Sequence, residues 1–290
     1  MNKDKVINWS IFILLSFIWG SSFILMKESA SALNGWQIAS IRIFSSGLIF
    51  LPFAIVHLFQ VPANKLWLII LSALLGNLFP AFLFAIAIYK QVNSSLAGIL
   101  NSLTPLLVIV LGILFFKAEI KSKKIVGVLI GFIGLVILSV SKGGITLNNF
   151  WPAMMILLAT LFYGLNVNLV SEYLKEIEPF KMATVSLAFM LLPTSFLICK
   201  LHIIPLALND ETTRWPIAAA ILLGVAGSAI ATVFFYILIK RAGGVFASLV
   251  TYGIPVVAIF WGVWANENVA AIQIVCLLLI LGGVYIANRS

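Results

Sequence analysis

Arg42 is the one charged residue that falls well inside a long apolar run of this chain. It lies about 10 Å beyond the start of the run 35–57 at 1.5 Å per residue, a depth at which a guanidinium is costly unless it meets water or a partner. Three readings are open. The long stem can snorkel to the interface, the head can pair with a carboxylate such as Glu28, or it can form an anion-attracting site at the outer mouth. Other apolar runs are interrupted by neutral polar groups: Ser22, Asn77, Asn101, Asn166, Ser228 and Tyr252, with Thr104, Asn168, Thr232, Tyr236, Ser248 and Thr251 beside them. Facing lipid these groups are expensive, so they belong on an interior or water-lined surface. The asparagines and tyrosines are expected to line a cavity. The hydroxyls serve equally well as helix–helix hydrogen bonders. Trp19 and Tyr163 would add flat aromatic walls.

The acids are placed differently. Glu28, Glu119, Glu172 and Glu267 all stand at or beyond the ends of apolar runs. A membrane-embedded enzyme needs a convergent acid/base or nucleophile pair, and a proton relay commonly needs a buried carboxylate or histidine. The expected chemistry is therefore non-covalent recognition by shape, aromatic rings and neutral hydrogen bonds. Cys199 and Cys276 lack the spacing of a metal or redox motif and read as small apolar packing residues. His57 and His202 sit near run ends without a partner nearby in sequence. No cofactor or metal is expected.

The elements holding these residues are set by composition. Of 290 residues, 62% are hydrophobic and 9% charged, against roughly 25% charged in soluble domains, and the mean hydropathy is +1.16. The net charge of +9 is dispersed through short connections, which is the membrane-topology pattern and not a nucleic-acid-binding face. With about 20 residues per crossing, the runs 6–27, 35–57, 66–89, 94–116, 124–141, 150–170, 180–200, 215–239, 245–264 and 269–288 predict ten transmembrane helices. Lys3 and Lys5 before the first run, and Ala30-Ser31-Ala32 after it, resemble a signal peptide. The run is too long for one and has a counterpart at Met154 to Val170, so it is expected to stay as the first helix.

That counterpart is part of a duplication. The stretch Ser95 to Glu119 is echoed by Val245 to Glu267, with Ala97 matching Ala247 and Pro105 matching Pro255. Trp19-Gly20 likewise aligns with Tyr163-Gly164. Two units are expected, 1–144 and 145–290, the seam lying between Lys142-Gly143-Gly144 and Asn148-Asn149. A proline near the middle of matched spans removes a backbone donor and points to a shared central cavity, with Pro105 and Pro255 among its substrate-binding positions. Five helices per unit is an odd number, so the second unit must enter the bilayer inverted. Charge agrees. Of the 18 Lys and Arg, five (Lys27, Lys90, Lys142, Lys200 and Arg214) fall on one side and Arg42 lies within a span; the other twelve share the side of the termini. Both termini are therefore expected in the cytoplasm. Gly127, Gly131 and Gly134 share one helix face, with Gly282-Gly283 as their counterpart in the tenth run, and such small faces allow close helix contact either within the bundle or between protomers of a homo-oligomer.

Taken in order, Trp19-Gly20-Ser21-Ser22-Phe23, Lys27, Arg42, Ala97 to Pro105, Glu119, Gly127, Gly134, Ala247 to Pro255, Glu267 and Gly282-Gly283 resemble the drug/metabolite transporter superfamily, EamA-type branch. The resemblance covers essentially the whole chain. It implies ten helices in a five-plus-five inverted repeat, a cavity lined by helices 1, 3, 4, 6, 8 and 9, and peripheral helices 5 and 10. It further implies export or exchange of small organic metabolites by alternating access in a plasma (inner) membrane. Amino acids, related metabolites and amphipathic drugs fit a neutral, aromatic-lined pocket. A membrane-embedded enzyme and a non-transporting scaffold are the competing readings.

Overall fold

The computed structural model describes residues 3–92, 94–141, 150–264 and 271–288, and among these every regular element is helical. Glu267 and the seam around Gly143 lie outside the described residues. The helices are α1 (Lys3–Ser29), α2 (Gly35–Leu58), α3 (Ala63–Tyr89), α4 (Ser94–Asn101), α5 (Thr104–Phe116), α6 (Ser122–Ser141) and α7 (Phe150–Tyr173). They continue with α8 (Pro179–Lys200), α9 (Ile203–Asn209), α10 (Glu211–Ala242), α11 (Gly244–Ser248), α12 (Val250–Trp264) and α13 (Ala271–Asn288).

Eight helical segments among the described residues are long and apolar enough to cross a membrane, Gly244–Trp261 of α11 and α12 counting as one, and α1, with 27 residues, reaches about 40 Å. In hydrocarbon every backbone N–H and C=O must be satisfied within the protein, which a helix does by itself. Helix ends still need partners. At the start of α2, Asn34 and Gln37 each accept a hydrogen bond from the other's backbone N–H, both at 3.0 Å, closing a reciprocal cap. Large apolar side chains that a soluble protein would hide, such as Trp151, Leu192, Phe196 and Leu278, point outward, as a lipid-facing surface requires.

Not all of the ten expected spans are uninterrupted helices. The run 94–116 is two helices, α4 and α5, joined through Ser102 and Leu103 and leaving a 13-residue apolar helix. The run 124–141 is the 20-residue α6. Pro105 sits in the first turn of α5, where its missing N–H costs least. The carbonyl it would otherwise bond is that of Asn101, which accepts instead from Thr104 Oγ1 at 2.6 Å. The run 245–264 also breaks, but at Leu249, and Pro255 lies inside α12. The matched prolines thus sit differently with respect to the two breaks, Pro105 in the first turn of α5 and Pro255 further along α12.

Glycine sets the closest contacts. A Cβ on Gly127 would lie 2.5 Å from the Ala287 nitrogen, and one on Gly283 would lie 2.5 Å from the Gly127 carbonyl oxygen. The glycine faces of α6 and α13 are therefore pressed on one another within the chain. Around the centre, α1 packs on α10 and α12, α7 on α3 and α5, and α2 on α8 and α10. Both α3 and α10 widen into a π-turn in mid-course, at Leu74–Leu78 and Val225–Ile230.

Candidate functional site

A cavity of about 110 Å³ lies between the helix middles, several times the ~10–15 Å³ one water requires on the same measure. Its wall is assembled from α1, α2, α3, α4, α5, α7, α10, α11 and α12. The two π-turns face it. Each inserts an extra residue into a turn, a device that recurs at functional sites, and each carries a polar side chain, Asn77 in α3 and Ser228 in α10.

Arg42 enters the wall from α2 because Gly224 lets α10 approach the α2 backbone: a Cβ there would collide with the Arg42 carbonyl and Ser45 Oγ. From that crossing Arg42 Nε donates to Ser228 Oγ at 2.8 Å, and Nη2 reaches the Gly227 carbonyl at 3.5 Å. Trp19 Nε1 donates to the same carbonyl at 3.1 Å, its ring edge-on to Phe235 at 5.2 Å. Across the cavity, Ser72 Oγ donates to Asn166 Oδ1 at 2.6 Å and lies 3.0 Å from the Tyr236 hydroxyl. Thr232 Oγ1 donates to Asn77 Oδ1 at 3.0 Å. These bonds join α3, α7 and α10 through neutral groups that would otherwise be costly at this depth. Ser22 Oγ donates within its own helix to Ile18. Tyr163 lies 6.2 Å from Phe84, both rings on the wall. Asn101 is buried, its Oδ1 without a hydrogen-bond partner among the described residues, in a wall it shares with Thr104.

Six of the ten residues expected to bind substrate are thus brought together: Trp19, Ser22, Asn77, Asn101, Tyr163 and Asn166. Four are not. Ser228 stands behind the wall as the acceptor for Arg42. Pro105 and Pro255 act on the backbone and contribute no wall surface. Tyr252 points the other way: its ring fills the space left by Gly131 and its hydroxyl donates to the Val128 carbonyl at 3.0 Å. A buried tyrosine needs a partner for its hydroxyl, and a helix carbonyl supplies one as well as a ligand would.

Glu28 and Arg42 do not pair. Glu28 accepts from Trp215 Nε1 at 3.1 Å, and among the described residues no carboxylate lies in ion-pair range of Arg42. Asn168 is likewise structural, donating to the Val108 and Gly164 carbonyls. Sequence reasoning passed over Ser72, Phe23, Phe84 and Phe235. An apolar ring in an apolar run looks the same whether it faces lipid or a cavity. Ser72 was detectable only as one more hydroxyl at depth.

The sequence model of the EamA-like transporter family matches residues 8–140 and again 150–289. An uncharacterized transporter of Archaeoglobus fulgidus is 22% identical over 97% of this chain and 99% of its own. A WAT1-related chloroplastic protein of Arabidopsis thaliana is 26% identical over 99% and 70%, and the uncharacterized inner membrane transporter YedA of Escherichia coli is 25% identical over 86% and 79%. One solved crystal structure, 17% identical, superposes with a TM-score of 0.69 over 100% of this chain and 97% of that one, a likeness of fold. With a helical bundle rich in membrane-length segments and a match over both halves, the chain belongs to the EamA-like transporter family.

Proposed function

We propose that the chain is a secondary transporter that exports or exchanges small organic metabolites, amino acids and amphipathic drugs among the candidates, across a plasma (inner) membrane. Two inverted five-helix units, with both termini in the cytoplasm, would rock about the cavity and expose it to each side in turn. The observation that carries this reading is a mid-helix cavity walled from both halves of the chain by aromatic and neutral polar side chains.

Paired contacts support the inverted repeat. Ser22 of α1 stands against Gly227 of α10, and Asn166 of α7 stands against Gly76 of α3. Gly20 packs on Val257 of α12, and Gly164 packs on Leu107 of α5. Each unit thus gives its first helix to the other unit's third and fourth. A non-transporting scaffold has no need of such a shared pocket, and a hydrolytic enzyme would want an acid or base at it. Purified protein in proteoliposomes, given labelled amino acids and a panel of candidate solutes with and without a pH gradient, should show saturable, competable flux. Flux no greater than in empty liposomes for the whole panel would argue for the scaffold.

A further inference from the structure

We propose that the solute is a net-negative organic monocarboxylate whose carboxylate pairs with Arg42 and whose apolar body, preferably aromatic, carries one hydrogen-bond donor for Asn101. This narrows the transporter reading and rests on it.

Arg42 is the one ionic side chain among the described residues lining the cavity, with no Asp, Glu, Lys or His beside it. Its described partners are a serine hydroxyl and, at long range, a backbone carbonyl. A guanidinium has five N–H donors in a fork matched to a carboxylate, so most of that capacity has no protein acceptor among the described residues. An unpaired cation in a low-dielectric cavity favours an anion strongly. A monoanion leaves the occupied site neutral. A zwitterion leaves it at +1, with an ammonium that finds no carboxylate; a cation adds like charge to like. The ordering expected from charge alone is monoanion, then neutral and zwitterion, then cation.

The second observation is independent. Asn101 is 8% exposed, lies in the cavity wall, and its Oδ1 accepts no hydrogen bond from the described residues. An unsatisfied buried acceptor is costly, and a hydroxyl or N–H on the solute would satisfy it. The same wall carries Trp19, Phe23, Phe84, Tyr163 and Phe235, and its remaining polar side chains, Asn77 and Asn166 among them, are neutral, which suits a ring or short hydrocarbon and not a second charge.

The test uses four compounds that share a benzyl group and differ in charge: phenylacetate, phenylacetamide, phenylalanine and phenethylamine. Each competes with labelled phenylacetate for purified protein in equilibrium dialysis at pH 7.4. Phenylacetate should bind best, the amide and phenylalanine about tenfold or more weaker, and the amine weakest. Arg42→Gln should weaken phenylacetate roughly ten- to a hundredfold, the range for a hydrogen bond to a charged group, and reduce its advantage over the amide to about twofold. Should that variant fail to fold, Asn101→Leu decides. In the unmodified protein 4-hydroxyphenylacetate should bind more tightly than phenylacetate, and Asn101→Leu should abolish that increment. Equal binding of all four, preference for the amine, no binding of any, or a charge preference surviving Arg42→Gln would overturn the proposal. Saturable flux of a neutral or cationic solute that no carboxylate inhibits would also overturn it while leaving transport intact. Carboxylate binding without flux would instead refute transport and leave the anion site standing.

Discussion

Tyr252 gives the sharpest separation between packing and binding. It is fully buried, its ring lies where a Cβ on Gly131 would approach to 2.6 Å, and its hydroxyl donates to Val128. Removing the hydroxyl in Tyr252→Phe should cost about 0.5–1.5 kcal/mol, the usual net value of one hydrogen bond, and the bonded carbonyl can still accept within its own helix. Tyr252→Ala removes the ring between α6 and α12. Soluble cores lose about 3–5 kcal/mol for such a truncation. Part of that is transfer from water, which is absent where lipid is the alternative environment, so roughly 2–4 kcal/mol is expected here. Gly131→Ala should destabilise by about 1–3 kcal/mol through overpacking against the same ring. Thermal unfolding in detergent, read beside the KM of flux in proteoliposomes, checks all three. The prediction is loss of stability in the order Phe, then Gly131→Ala and Tyr252→Ala, with the KM of Tyr252→Phe unchanged. A several-fold rise in KM for Tyr252→Phe at unchanged stability would refute the packing assignment.

Other outcomes follow from the same geometry. Asn101→Leu should leave stability unchanged or slightly raised, since it removes a buried acceptor that has no partner, yet should lower transport at least severalfold; normal flux with a folded variant would contradict the cavity assignment. Gly76→Ala would drive a methyl into the Asn166 amide and loosen its bond to Ser72, so about 1–3 kcal/mol of stability and most flux should be lost, and a neutral effect on both would show that the α3 π-turn can relax. Tags placed after Lys121 and after Asn266 should be reached by a membrane-impermeant reagent from opposite sides; finding both on one side would remove the inverted repeat.

Much of the interior was legible because polarity in an apolar run carries one strong message: the residue does not face lipid. Asn77, Asn101 and Asn166 reached the cavity on that message alone. The message does not say which interior surface a side chain joins, and Tyr252 and Asn168 obey it by satisfying helix carbonyls. The prolines were informative about backbone and silent about walls, as Pro105 shows by sitting at a helix start. The acceptor for Arg42 was beyond sequence reasoning. It is a hydroxyl and a backbone carbonyl in a π-turn of another helix, set by how closely Gly224 lets two helices cross. Phe84 and Phe235 carried no signal, because lipid and cavity select the same ring.

In the proposed cycle one pocket between the two halves opens to each side of the membrane in turn. A single reactive thiol in its wall tests this directly: Thr251→Cys in a background where Cys199 and Cys276 are replaced by serine and alanine. In oriented vesicles this thiol should be labelled by a membrane-impermeant reagent from either face, more slowly when transported solute is present. Labelling from one face only, at a rate indifferent to solute, would contradict it.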